Sequence, residues 1–147
     1  MLPALPDRAI RVAAPAVDWR AAVAAAGDAL ADSGATTEHY TERMIGVIEE
    51  FGAYVVIAPG LALAHARPGS DVRRDGLSVI TLAEPVRFGH PHNDPVSVVI
   101  GLAVTSSDDH VGVVAELANV FNDHSVIPAL AAASDADAVR ALLGVSE

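Results

Sequence analysis

Six histidines and no cysteine define the nucleophilic chemistry open to this 147-residue chain. Without a thiol there is no disulfide, zinc-thiolate site or sulfur nucleophile, so imidazole is the group to follow. His65 has the best-defined setting. It closes the stretch Gly52 to Pro68, GAYVVIAPGLALAHARP. There the β-branched run Val55-Val56-Ile57-Ala58 reads as a buried strand, Pro59-Gly60 breaks it, and Leu61-Ala62-Leu63 starts a second apolar run. A histidine at the end of that run, followed by Arg67, Pro68 and Gly69, sits where an extended segment leaves the core. Its imidazole can be held from behind and still face solvent, which suits a nucleophile. The same placement suits a strand-end histidine that only satisfies a backbone carbonyl.

Neutral imidazole is abundant near pH 7, one ring nitrogen can attack phosphorus, and the other can donate the hydrogen bond that fixes the tautomer. A phosphorylated ring carries close to two negative charges and needs donors nearby. Three sources stand in the sequence: His110 in the first turn of a helix, the backbone N–H groups of that helix or of the His65 loop, and Arg67. A solvated or structural role fits Arg67 equally well. His90-x-His92-x-Asp94 has the ligand types of a metal site, but Pro91 and Pro95 favour a turn in which Asn93 and Asp94 satisfy local backbone groups. His39 and His124 have surface or helix-end settings.

The elements that must position these groups follow from pattern. Residues 1–8 read as a tail and Ile10 to Ala13 as an edge strand. Asp18 caps a helix running to Ala31, stopped by Ser33-Gly34, with Trp19 as a core anchor. Thr36 or Thr37 caps a second helix ending at Gly52, in which Tyr40, Met44, Val47, Ile48 and Phe51 form a core stripe. Arg67 to Asp75 is a loop. Leu77 to Leu82 and Val86 to Phe88 read as two short strands around a Glu84-Pro85 turn, and Gly89 to Pro95 as irregular. Val96 to Val104 is apolar almost throughout and reads as the sheet centre, buried on both faces. The run Ser106 to Asp109 caps the helix bearing His110. Val126 to Ala133 and Ser134 to Leu143 read as helices, the latter capped by Ser134. Helices before, between and after strands indicate an α/β sandwich.

One domain accounts for the length. Apolar residues make up 52% and aromatics only 4%, so small side chains must pack closely. Nine basic against nineteen acidic residues give a formal charge of −10, which disfavours nucleic acid and anionic membrane surfaces. No apolar run reaches a membrane span and no leader opens the chain, so a cytoplasmic location is expected.

The string Gly-x-Tyr-Val-Val-Ile-Ala-Pro-Gly-x-Ala-x-x-His-Ala-Arg-Pro resembles the active-site stretch of the EIIA phosphocarrier proteins of the sugar phosphotransferase system, mannitol/fructose class, and within it the ascorbate-type branch. The similarity extends through Asp18-Trp19, Tyr40 to Glu50, Phe88 to Val96 and His110. It implies a single EIIA domain, a three-layer α/β/α sandwich with a mixed central sheet of about five strands, and no cofactor or metal. It also implies that His65 accepts a phosphoryl group from the histidine-containing phosphocarrier protein and passes it to a cysteine of an EIIB, for uptake of ascorbate or a related sugar through a membrane EIIC. His110 would stabilise the phosphoryl group, with Arg67 a further phosphate ligand. Ala64 stands where the family usually has proline. Glu49-Glu50 stands where mannitol and fructose members carry Arg-Glu, with Arg43 as a substitute cation. A regulatory module signalling through His65, a small hydrolase using His90, His92 and Asp94, and a homodimer all stay open.

Overall fold

The computed structural model describes residues 2–147. Its elements are β1 (Ile10–Ala14), α1 (Trp19–Asp32), α2 (His39–Phe51), β2 (Val56–Ala58), β3 (Leu61–His65), β4 (Gly76–Val86), β5 (Val96–Ala103), α3 (Ser107–Phe121), α4 (Val126–Ala131) and α5 (Ala136–Leu143). The strands form one mixed sheet in the order β1-β4-β5-β3-β2. β1 runs parallel to β4 and β3 parallel to β5, whereas β4–β5 and β2–β3 are antiparallel. The apolar run beginning at Val96 is the central strand, as its pattern predicts, and β1 is an edge.

Strand alternation sends side chains into two separate cores. Ala62, Ala64, Ile80 and Val99 face α1 and α2. Leu61, Leu63, Val79, Val98, Ile100 and Leu102 face α3, α4 and α5. This is the three-layer α/β/α sandwich. The alanine-rich face of α1 permits a close approach to the sheet: a Cβ added at Gly101 of β5 would lie 3.3 Å from Ala26 and 3.2 Å from Leu30.

Local signals hold at two helix starts. The Asp18 carboxylate accepts the Ala21 N–H at 2.9 Å, and the Ser106 hydroxyl accepts the Asp109 N–H at 3.1 Å. Elsewhere the structure differs. The second helix is opened by the Thr37 carbonyl, which takes the Tyr40 N–H at 3.2 Å, and neither Thr36 nor Thr37 caps it through its hydroxyl. α5 is capped by Asp135, not Ser134. The Glu84-Pro85 turn signal is a bulge inside the single strand β4: between the pairs Thr81–Val98 and Val86–Val96, β4 uses five residue steps where β5 uses two. The missing N–H of Pro85 is tolerated because the ladder is already interrupted there. Residues 2–8, expected as a tail, are docked. Leu5 is fully buried and donates to the Ser146 carbonyl at 2.8 Å, while buried Arg140 bonds the Leu5 carbonyl at 3.1 Å and the Asp7 carboxylate at 2.7 Å. The stretch orders because Leu2 and Leu5 pack on the core and the buried guanidinium holds it to the C-terminal helix.

Candidate active site

His65 is the last residue of β3 and pairs with Leu102 of β5. β3 and β5 are parallel neighbours, so both carboxyl ends open on the same edge of the sheet, where ligand crevices of α/β folds form. β5 leads through Val104, Thr105 and Ser106 into α3, which carries His110 back over that edge. The two imidazole centroids are 5.2 Å apart with ring planes tilted by 38°.

The His65 ring is oriented by its own strand. Its Nδ1 lies 3.0 Å from the Leu63 carbonyl oxygen. A carbonyl can only accept, so Nδ1 carries the proton and Nε2 keeps its lone pair. Burial lowers the His65 pKa below 6.5, the Leu63 carbonyl partly offsets this, and nearby His110 lowers it further. The ring is therefore mostly neutral at pH 7, with one defined nucleophilic nitrogen.

Around it lies an open cleft of about 290 Å³ lined by Phe51, Tyr54, His65, Arg67, Ser107 and His110 among others. It is smaller than most pockets that enclose a metabolite. Tyr54 meets His65 edge-on at 6.2 Å between centroids, and Phe51 meets Tyr54 the same way at 6.5 Å. Both aromatic residues are exposed, Phe51 by 65% and Tyr54 by 49%. An apolar rim this exposed suits transient contact with another macromolecule.

The sequence-predicted residues divide clearly. His65, His110 and Arg67 come together. The guanidinium of Arg67 makes no hydrogen bond or ion pair among the described residues, while its carbonyl accepts from Arg43 Nη2 at 2.8 Å. Arg43 is not a spare phosphate ligand, because its Nε and Nη2 each bond the Asp71 carboxylate at 2.7 Å. Glu49, in place of the family arginine, pairs with Arg20 at 3.0 Å, and Arg20 in turn stacks on Trp19. The His90 to Asp94 segment uses its polar atoms on itself. Asp94 accepts the N–H groups of Phe88, Gly89 and His90, and His90 Nδ1 accepts those of His92 and Asn93.

Three residues escaped the sequence reading. Tyr40, read only as core, has a fully buried side chain whose hydroxyl donates to the Leu102 carbonyl at 2.6 Å and accepts the Ala66 N–H at 3.0 Å. Burial pushes its pKa up to about 12, so it stays a donor. The detectable signal was a tyrosine in an apolar stripe, since a buried phenol needs a partner. Tyr54 stands at a fixed position of the motif with no role assigned to it there, and Asp71 had no comparable signal.

A profile of the phosphoenolpyruvate-dependent sugar phosphotransferase system, EIIA 2, matches residues 4–144. The chain belongs to this EIIA family. It is 35% identical over 139 residues to an ascorbate-specific PTS system EIIA component from Salmonella choleraesuis strain SC-B67, covering 93% of this chain and 90% of that one. Among solved structures it resembles a PTS IIA protein (PtxA) from Streptococcus mutans, with a TM-score of 0.84, 36% identity and coverage of 94% of this chain and 88% of that one. It also matches the complex of enzyme IIA and phosphorylated enzyme IIB for mannitol from Escherichia coli, with a TM-score of 0.82, 26% identity and coverage of 95% and 96%. As a PTS EIIA component it belongs to a phosphotransferase system of sugar transport. Among the described residues no helix is long and apolar enough to cross a membrane.

Proposed function

We propose that this EIIA chain carries a phosphoryl group on His65 Nε2 in an ascorbate-type transport system of the cytoplasm. The donor is the histidine-containing phosphocarrier protein. The Nε2 lone pair attacks phosphorus in line, the donor's N–P bond breaks, and the donor nitrogen recovers its electron pair. In the second step a cysteine thiolate of the cognate EIIB attacks the same phosphorus, the Nε2–P bond breaks, and His65 returns to its neutral tautomer. The sugar is met only by a membrane EIIC, which accords with a cleft too open to enclose one.

The observation that carries this reading is the Leu63 carbonyl on His65 Nδ1, 3.0 Å away, which leaves Nε2 as the reacting nitrogen beside His110. Transfer of this kind asks the protein for positioning and charge stabilisation above all. His110 and Arg67 supply the cationic or hydrogen-bonding contacts, and the Ser107 hydroxyl at the start of α3 lines the same cleft. Similarity to ascorbate-specific relatives favours transport over a purely regulatory role. Donor charged beforehand with labelled phosphate should label this chain, and alkaline peptide mapping should find the label on His65. A label elsewhere would overturn the assignment.

A further inference from the structure

The backbones of Ala66 and Arg67, the two residues that follow His65, are both gripped by α2, and from the same face of it. Tyr40 and Arg43 stand three residues apart, so their side chains are neighbours on the helix surface. The Tyr40 hydroxyl takes the Ala66 N–H at 3.0 Å and donates to the Leu102 carbonyl at 2.6 Å, which ties the end of β3 to the end of β5 beside it. Arg43 Nη2 donates to the Arg67 carbonyl at 2.8 Å. That guanidinium is itself fixed by two 2.7 Å bonds to Asp71, whose side chain is only 7% exposed. The Asp71 carbonyl accepts the Thr37 N–H at 2.8 Å, and Asp71 Oδ2 lies 3.1 Å from His39 Nδ1. Gly69 lies against the same pair: a Cβ there would be 2.8 Å from Arg43 Nη2 and 3.1 Å from Asp71 Oδ1, so a side chain at this position would press on the guanidinium.

None of these groups need touch the phosphoryl group. They hold the backbone on which the reacting ring and the free Arg67 guanidinium are mounted. We propose that Tyr40 and the Arg43–Asp71 pair are positioning residues for phosphoryl transfer, acting through the backbone of Ala66 and Arg67 to keep His65 Nε2 and the Arg67 guanidinium aimed into one cleft. The inference rests on His65 being the phosphoryl acceptor. It adds that the accuracy of the site comes from α2, a helix that contributes no reacting group.

The test uses the full chain, the charged phosphocarrier donor and a cognate EIIB. Tyr40→Phe, Arg43→Met and the double variant Arg43→Met with Asp71→Asn are compared with the native chain. The label should remain on His65 in all of them, and KM for the donor should stay at the native value. Onward transfer to EIIB should fall about 10- to 100-fold, the range expected when a reacting group is misplaced by a fraction of an ångström to an ångström. Arg43→Met strands a buried carboxylate, so its melting temperature should drop. Adding Asp71→Asn should restore that temperature and leave the rate low. Long-range proton–nitrogen spectra should show the His65 ring leaving its single Nδ1–H tautomer in Tyr40→Phe. Recovery of the rate together with the melting temperature, or native transfer by Tyr40→Phe, would overturn the proposal. A His65→Ala control separates the two claims: if that variant is still labelled, the His65 reading itself is wrong.

Discussion

The imidazoles of His65 and His110 lie 5.2 Å apart, tilted by 38°, at the mouth of an open cleft. Two rings at that separation repel each other when both are protonated, and burial adds a larger penalty to charging His65, so its pKa lies below 6.5. A phosphoryl group bound to one ring reverses the interaction, because its negative charge then attracts a proton on the other. The pair thus favours a neutral nucleophile before transfer and a charge-assisted contact after it.

That reasoning gives a pH profile. Phosphoryl acceptance should stay level as pH falls through 6.5 and decline only at lower pH, with an apparent value below that of free imidazole. Folding linkage runs in the same direction. His65 in the unfolded chain, at the ordinary 6.5, takes a proton before His65 in the folded chain does. Its contribution to stability is therefore intact above 6.5 and lost as pH falls through the lower folded value. Initial rates against pH, with the donor charged beforehand, check the first statement. A decline centred above 6.5 would contradict it.

A second prediction concerns the crossing of α1 and α2, which sets where α2 places Tyr40 and Arg43. A Cβ at Gly27 would collide with the Thr41 side chain, whose buried hydroxyl has no hydrogen-bond partner among the described residues. Gly27→Ala should cost about 1–3 kcal/mol of stability by overpacking, despite the better helix propensity of alanine. Urea denaturation should show a lower midpoint with an unchanged slope. A midpoint at or above the native value would mean that the helices can separate freely.

These helix positions mark the boundary between what the residues reveal in order and what only the folded chain reveals. β2 and β5 were legible because a β-branched run bounded by Pro-Gly and a long apolar run leave few alternatives. Asp18 and Ser106 were legible because a cap acts within three residues of itself. Strand order was not, since no local pattern says that β5 lies between β3 and β4. His65 and Arg67 entered the candidate site through the motif, His110 through its place in the first turn of a helix, and all three line the cleft. The grip of Tyr40 on Ala66 spans 26 residues and that of Arg43 on Asp71 spans 28, so neither leaves a trace in any short window. Glu84-Pro85 read as a turn because a proline signal cannot distinguish a chain reversal from a bulge.

Charge at the rim gives a third prediction. Glu49, Glu50, Asp108 and Asp109 are exposed on the two helix ends that flank the aromatic rim of the cleft, in a chain of net charge −10. Association with a basic donor should be steered by these groups and slow as salt rises past the point where the screening length is about 8 Å. Stopped-flow association across a salt series measures this. Rates independent of salt would show that docking rests on the apolar contacts of Phe51 and Tyr54 alone.

The last prediction separates His65 from His110. His65→Ala should abolish phosphorylation completely, because the flanking side chains are those of Ala64 and Ala66 and offer no nucleophile. His110→Ala should still be phosphorylated on His65, since the Nδ1 contact that prepares Nε2 comes from the Leu63 carbonyl and owes nothing to α3. What His110→Ala removes is a donor facing the charge that spreads over the phosphoryl oxygens in transit. Loss of one such donor costs about 10² to 10³ in rate. Onward transfer to EIIB should slow by that order, with acceptance slowed as well if the donor is discharged through a similar transition state. Rapid-quench measurement of each half-reaction distinguishes the steps. Onward transfer at the native rate in His110→Ala would remove His110 from the chemistry and leave Arg67 as the cation that remains in the cleft, while labelled His65→Ala would transfer the acceptor role to another histidine.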